Sequence, residues 1–167
     1  MNAQRAEREK LNICLPLIIR WYREAGRPLP WRQEPESYHV WISEIMLQQT
    51  RIEAVIPYYE RFLRAFPDVE SLSRAEDDRL MKLWEGLGYY SRARNLKKAA
   101  VQVMERYGGS LPRQAEELKK LPGIGDYTAG AIASIAYGQP EPAVDGNVLR
   151  VMTRLLEIGR ASCRERV

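Results

Sequence analysis

Cysteine is almost absent: the 167-residue chain holds two, Cys14 and Cys163. Two thiols cannot build a disulfide framework, and without any paired spacing they do not form a zinc or iron–sulfur ligand set. They read as free thiols in a reducing compartment. Apolar runs approaching 18 residues are also missing, which excludes a membrane-spanning helix. No charged-then-apolar leader with a small-residue cleavage site opens the chain, so an intracellular location is expected. Histidine occurs once, at His39, where a local hydrogen bond is expected and no catalytic role. Sustained period-two alternation is absent too, and nearly every segment repeats at the helical period. The expected fold class is all-α.

A 45% apolar content argues for a folded protein, and the length suits one well-filled core or two small helical lobes sharing a cleft. The net charge of +4 suits a polyanionic partner, but two of those charges come from Arg160, Arg164 and Arg166 set against Glu165 in residues 159–167. Local clusters are more telling. Arg92, Arg94, Lys97 and Lys98 follow Tyr89 and Tyr90, while Lys119 and Lys120 precede a glycine-flanked turn. Each cluster fits either a polyanion contact or a solvated helix face.

The spacing predicts an amphipathic helix over Asn2 to Glu24, with a bend at Pro16, and a loop over Gly26 to Pro35 with its three prolines. Helices are then expected at Tyr38 to Gln49, at Arg51 to Ala65 with a kink or break at Pro57, and from a Ser73 cap through Ala75 to Trp84. Tyr90 to Tyr107 follows, stopped by Gly108 and Gly109. Arg113 to Lys120, a hairpin and Asp126 to Tyr137 give helix, hairpin, helix. Asp145 caps a last helix through Glu157.

Leu121 to Gly130, reading LPGIGDYTAG, is the most informative stretch. Gly123 and Gly125 flank one Ile, Pro122 rigidifies the entry, and the next helix starts with amides that lack intrahelical partners. Such a turn binds anions, phosphates among them. The carboxylate of Asp145 follows in VDGNV, and WISEIMLQQT lies upstream with Glu44.

These segments resemble the helix-hairpin-helix superfamily of DNA glycosylases, and within it the MutY-type adenine glycosylases. The resemblance runs from about Leu29 to Leu156 through PWR at Pro30 to Arg32, SEIMLQQT at Ser43 to Thr50, GLGYYSRARNL at Gly86 to Leu96, the hairpin, and DGNV at Asp145 to Val148. It implies a six-helix barrel lobe over 29–137 with the helix-hairpin-helix at 113–137. It also implies an incomplete second lobe, made of an N-terminal helix in 1–28 and, in 138–158, a loop with Asp145 and the start of a return helix. Residues 159–167, GRASCRERV, depart from the family pattern and read as a truncation junction or foreign sequence. Relatives continue into a four-cysteine [4Fe-4S] loop, so no cluster is expected in this chain. A monovalent cation on the hairpin carbonyls is a further family feature.

Releasing adenine from deoxyribose needs a proton donor for the base and an ionised carboxylate for the oxocarbenium sugar, a division of labour shared with glycosidases. Glu44 lies among Trp41, Ile42, Ile45, Met46 and Leu47, where a dry pocket would raise its pKa. Asp145 lies at a helix start, which favours its ionised form. The resemblance assigns Glu44 as proton donor and water activator and Asp145 as charge stabiliser, with Tyr127 and Asn147 in support. Asp145 also reads as an ordinary N-cap, and both roles can coexist; Tyr127 also reads as a ring packed beneath the hairpin.

A duplex base must be flipped out to be reached. The resemblance points to Gln49 and Tyr89 as wedges with Leu87 on the same loop, to Arg32 as a DNA contact, and to Gly123, Gly125 and Thr128 as the phosphate grip. The expected partner is duplex DNA with adenine opposite 8-oxoguanine or guanine. Tyr127 stands where a strand-cleaving lyase carries its amine, which argues against that chemistry. A thymine-mismatch glycosylase and a non-catalytic DNA-binding fragment are the alternatives. Leu11, Ile13, Leu15, Leu17 and Ile18 predict an exposed apolar face that self-associates.

Overall fold

The computed structural model describes residues 2–157, and among these there are ten helices and no strand. The chain divides into two compact units, one from the described residues of Met1–Pro28 and Val144–Val167, the other Leu29–Ala143. The stretch 159–167, with Cys163, lies outside the described residues.

The first unit holds α1 (Asn2–Ala25) and α10 (Gly146–Leu155). Pro16 sits inside α1 without ending it. Ile13, Leu17 and Trp21, spaced by four, fall on one helical stripe and are 67%, 50% and 62% exposed. No side chain of α10 is buried. Lys10 Nζ lies 3.6 Å from Glu157 Oε1, an exposed pair worth at most about 1 kcal/mol.

The second unit contains α2 (Pro30–Gln33), α3 (Ser37–Leu47), α4 (Ile52–Ala65), α5 (Val69–Ser73), α6 (Asp77–Trp84), α7 (Ser91–Tyr107), α8 (Ala115–Leu118) and α9 (Asp126–Tyr137). Its core gathers Trp41, Met46, Phe62, Leu80, Trp84 and Leu96, all nearly inaccessible. Helix α3 packs on α9 and α4, and α7 on α5 and α6. Helix α9 contributes small residues to the interior, Ala129, Ala131 and Ala133, all buried. Gly130 is required for a second reason, because a Cβ there would stand 2.1 Å from the Pro142 carbonyl oxygen of the chain returning over α9.

Four expectations differ from the structure. Gly26 to Pro35 is not all loop: Pro30 opens the single turn α2, where a missing amide costs nothing, and Trp31 is buried edge-on to Tyr59 at 5.3 Å. Ser73 is no N-cap. It ends α5, its hydroxyl donating to the Glu70 carbonyl, while Asp68 and Ser71 make a reciprocal capping box at the start of that helix. Helix α6 instead starts at Asp77 without a side-chain cap. The expected Arg113 to Lys120 helix shrinks to Ala115–Leu118, and Pro57 does not break α4.

Candidate active site and exposed loops

Hairpin residues alternate between inside and outside. Leu121 and Ile124 plug into the core at 3% and 5% exposure, and Ile124 donates its amide to the Leu121 carbonyl at 3.2 Å. Gly123 and Gly125 are left facing outward. Gly123 has φ +80°, and a Cβ there would lie 2.9 Å from Cβ of Asn95 on α7, so conformation and space both demand glycine. Gly125 is the N-cap of α9 and makes no side-chain cap hydrogen bond, and a helix start is where backbone amides meet an anion. Thr128, in the first turn of α9, is 2% exposed, so its hydroxyl does not stand open at the surface. The two lysines before the hairpin are engaged: Lys119 pairs with Glu116 at 2.6 Å and Asp126 at 3.3 Å, and Lys120 with Glu117 at 2.6 Å. Each lysine pKa is raised first by its glutamate hydrogen bond.

Glu44 is half-buried on α3 between the buried Ser43 and Ile45, and the half-buried Tyr127 belongs to α9, the helix on which α3 packs. Arg32 is exposed in α2. His39 makes the expected local contact, Nδ1 to the Glu34 carbonyl at 3.3 Å.

Two turns project exposed side chains from this unit. Gln49 follows α3 with φ +59°, and Tyr89 follows α6 with φ +47° at 65% exposure. Left-handed backbone is uncommon in residues other than glycine and persists only when the surroundings enforce it. Leu87 does not share the exposure of Tyr89. At 6% it is packed into the core and anchors the loop.

Arg92 bonds to both turns, although the sequence reading placed it in a basic cluster fit for a polyanion contact or a solvated helix face. It is 8% exposed. Its Nη1 donates to the carbonyls of Ile45, Met46 and Gln48 at 2.8, 3.1 and 2.7 Å, and Nη2 to those of Leu87 and Gly88 at 2.9 and 3.3 Å. Burial lowers its pKa, but arginine stays charged. The one available sequence signal was its position three residues after Tyr89, inside the GLGYYSRARNL segment.

In the first unit, Asp145 N-caps α10. Its Oδ1 accepts the Val148 amide at 2.8 Å, and Oδ2 accepts Nδ2 of Asn147 at 2.8 Å. Asn147 is itself held by Nη2 of Arg150 at 2.8 Å. The Val148 amide is the main cause that lowers the Asp145 pKa below the ordinary aspartate value, with Asn147 assisting. Arg150, an unforeseen member of this chain of contacts, lies one helical turn beyond Asn147.

A hairpin of outward glycines between packed helices places the protein among helical proteins of the helix-hairpin-helix class. Residues 42–166 match the HhH-GPD superfamily base excision DNA repair protein family, and the chain belongs to it. It is 48% identical over 151 residues to the adenine DNA glycosylase of Mus musculus, covering 85% of this chain and 29% of that protein. With the adenine DNA glycosylase of Buchnera aphidicola (subsp. Baizongia pistaciae) it shares 46% over 142 residues, 84% of this chain and 40% of the other. The chain thus spans less than half the length of these relatives. Among solved structures it resembles a thermostable thymine-DNA glycosylase with a TM-score of 0.83 and 30% identity, over 89% of this chain and 69% of that one. A trapped endonuclease III–DNA covalent intermediate matches with a TM-score of 0.75 and 27% identity, over 86% and 66%.

The [4Fe-4S] cluster implied by the family does not fit the donors here. The sequence holds two cysteines, a cluster takes four thiolates, and no group of three or more potential ligands occurs among the described residues. No described helix is long and apolar enough to cross a membrane.

Proposed function

We propose that the chain carries the chemistry of a monofunctional adenine DNA glycosylase, which hydrolyses the N-glycosidic bond of adenine mispaired with 8-oxoguanine or guanine. The observation that carries this reading is Tyr127 on α9, the helix packed against the one that bears Glu44, in a chain 48% identical to an adenine DNA glycosylase. A phenol forms no Schiff base with the sugar, so water must be the nucleophile. The nearby lysines are committed to Glu116, Asp126 and Glu117, which disfavours a lyase step.

Glu44 gives its proton to the departing adenine as the bond to the sugar breaks and the electron pair leaves with the base. The carboxylate of Asp145, kept ionised by its cap hydrogen bonds, supplies negative charge for the oxocarbenium sugar. Glu44 then takes a proton from the water whose oxygen adds to the sugar carbon, and the donor is restored. Tyr127 and Asn147 support the intermediate, Asn147 through its bond to Asp145. The amides at Gly123, Gly125 and Thr128 grip a backbone phosphate, with a monovalent cation on the hairpin carbonyls as a further element of that grip. Gln49 and Tyr89 wedge the stack open, Leu87 anchors the second wedge, and Arg32 meets the backbone. In this proposal 29–137 forms a six-helix barrel lobe, and 1–28 with 138–158 forms a partial second lobe, with 159–167 outside both.

Single-turnover release of adenine from an 8-oxoguanine:adenine duplex tests the proposal, with strands examined before and after alkali. Cleavage should appear only after alkali, and Glu44→Gln should abolish it while duplex affinity stays within a few fold. Equal cutting by Glu44→Gln would remove Glu44 from its role. Binding without base release by the parent would leave a non-catalytic DNA-binding fragment.

A further inference from the structure

We propose that Arg92 is a positioning residue that sets the Gln49 and Tyr89 turns in one register, so that both side chains meet a duplex as a preassembled pair. The inference rests on the reading of Gln49 and Tyr89 as wedges and goes beyond it by naming what holds them in place. Glu157 is the one other residue besides glycine with positive φ among the described residues. The two remaining positive-φ positions fall in the two turns that this guanidinium bridges.

Geometry makes the coupling specific. One nitrogen of the planar fork serves the end of α3 and the other serves the Leu87–Gly88 turn, so the turns cannot shift apart without breaking contacts on one side. The guanidinium carbon also lies 5.6 Å from the Tyr89 ring centroid and 5.5 Å from that of Trp84, within cation–π range. The orientation of the Tyr89 ring is therefore tied to the same group that fixes its backbone. Trp84 adds a second tie, donating Nε1 to the Gly88 carbonyl at 3.1 Å. Asn95, one turn further along α7, backs Gly123 of the hairpin. The start of α7 thus mounts both turns and the phosphate-facing hairpin. At 8% exposure Arg92 is no phosphate contact itself. A lysine there would keep the charge but replace the rigid fork by a single donor centre.

Hydrogen exchange in the free protein tests the joint mounting without DNA. The amides of Thr50 and Leu87, bonded to the Leu47 and Trp84 carbonyls, should open together in the parent. In Arg92→Lys both should lose roughly tenfold in protection, equivalent to about 1.4 kcal/mol, while core amides of α9 stay unchanged. Loss at one turn only, or at neither, overturns the proposal. If Arg92→Lys does not fold, the parent decides: the two amides must show the same opening free energy across a denaturant series, and independent opening refutes the coupling.

A second arm uses 2-aminopurine opposite 8-oxoguanine to report unstacking. Arg92→Lys should reduce the fluorescence rise on binding roughly tenfold while duplex affinity and melting temperature change little; a merely structural residue would lower all three together. Equal unstacking by parent and variant overturns the proposal. Failure of the parent to unstack the base would instead refute the wedge reading, and the exchange arm would still judge Arg92.

Discussion

Asp145 accepts the Val148 amide on one oxygen and the Asn147 side chain on the other, so its cap and its charge are separable by substitution. Asparagine caps a helix about as well as aspartate. Asp145→Asn should therefore keep the thermal stability of α10 and lose base release, whereas Asp145→Ala should lose base release and destabilise the helix by about 0.5–2 kcal/mol. A melt paired with single-turnover kinetics separates the outcomes, and an Asn variant that melts early but still cuts would leave Asp145 a cap alone. The native pKa is lowered, so the ionised cap contributes fully above the unfolded aspartate value of about 3.9, and its contribution fades as pH falls through the lower native value. The stability gap between parent and Asp145→Ala should accordingly narrow in strong acid, without vanishing because the protonated carboxyl still accepts through its carbonyl oxygen, and stay constant from pH 5 upward, as acid titration of both would show. Asp145 as a cap was legible because a capping residue and the helix it starts are neighbours in sequence. Arg92 was not, since its carbonyl partners at Ile45, Met46 and Gln48 lie 44 to 47 residues away and nothing in SRARNL says which of several cations turns inward.

The hairpin is the element where local sequence and tertiary packing agree. Gly123 meets two independent demands, a φ of +80° and the Asn95 side chain, so Gly123→Ala should destabilise the unit by more than ~1 kcal/mol, since neither the conformation nor the space admits a Cβ. Duplex affinity should fall along with stability. Gly125→Ala, with no positive φ and open space at its Cβ position, should carry only the smaller cost of alanine at the N-cap of α9 and melt above Gly123→Ala. Equal melting of the two variants would show that Asn95 yields. Longer helices were readable from their period: α9 runs over Asp126–Tyr137 as expected, and α7 begins one residue late. The short ones were not. A four-residue turn such as α2 or α8 has no room for a period, and Ser73 misled because serine serves a helix end through its own carbonyl contacts as readily as it serves a start.

At the scale of the whole molecule, the Ile13, Leu17 and Trp21 stripe sets behaviour in solution. Three large apolar side chains, each at least half exposed on one helix, form the kind of contiguous patch that monomeric proteins seldom present. Their neighbours strengthen it, since Leu15, Ile18, Ile19 and Tyr22 on α1 are also 45% or more exposed. The chain should therefore self-associate through α1 as concentration rises, seen as a growing weight-average mass in sedimentation equilibrium. Ile13→Lys with Trp21→Lys should return it to monomer without lowering the melting temperature of the Leu29–Ala143 unit, whose core contains none of these residues. A parent that remains monomeric across the concentration range would mean that these apolar side chains do not drive association. If association persists undiminished in the double variant, the contact lies elsewhere, and the exposed Val148, Leu149 and Val151 of α10 would be the next positions to change.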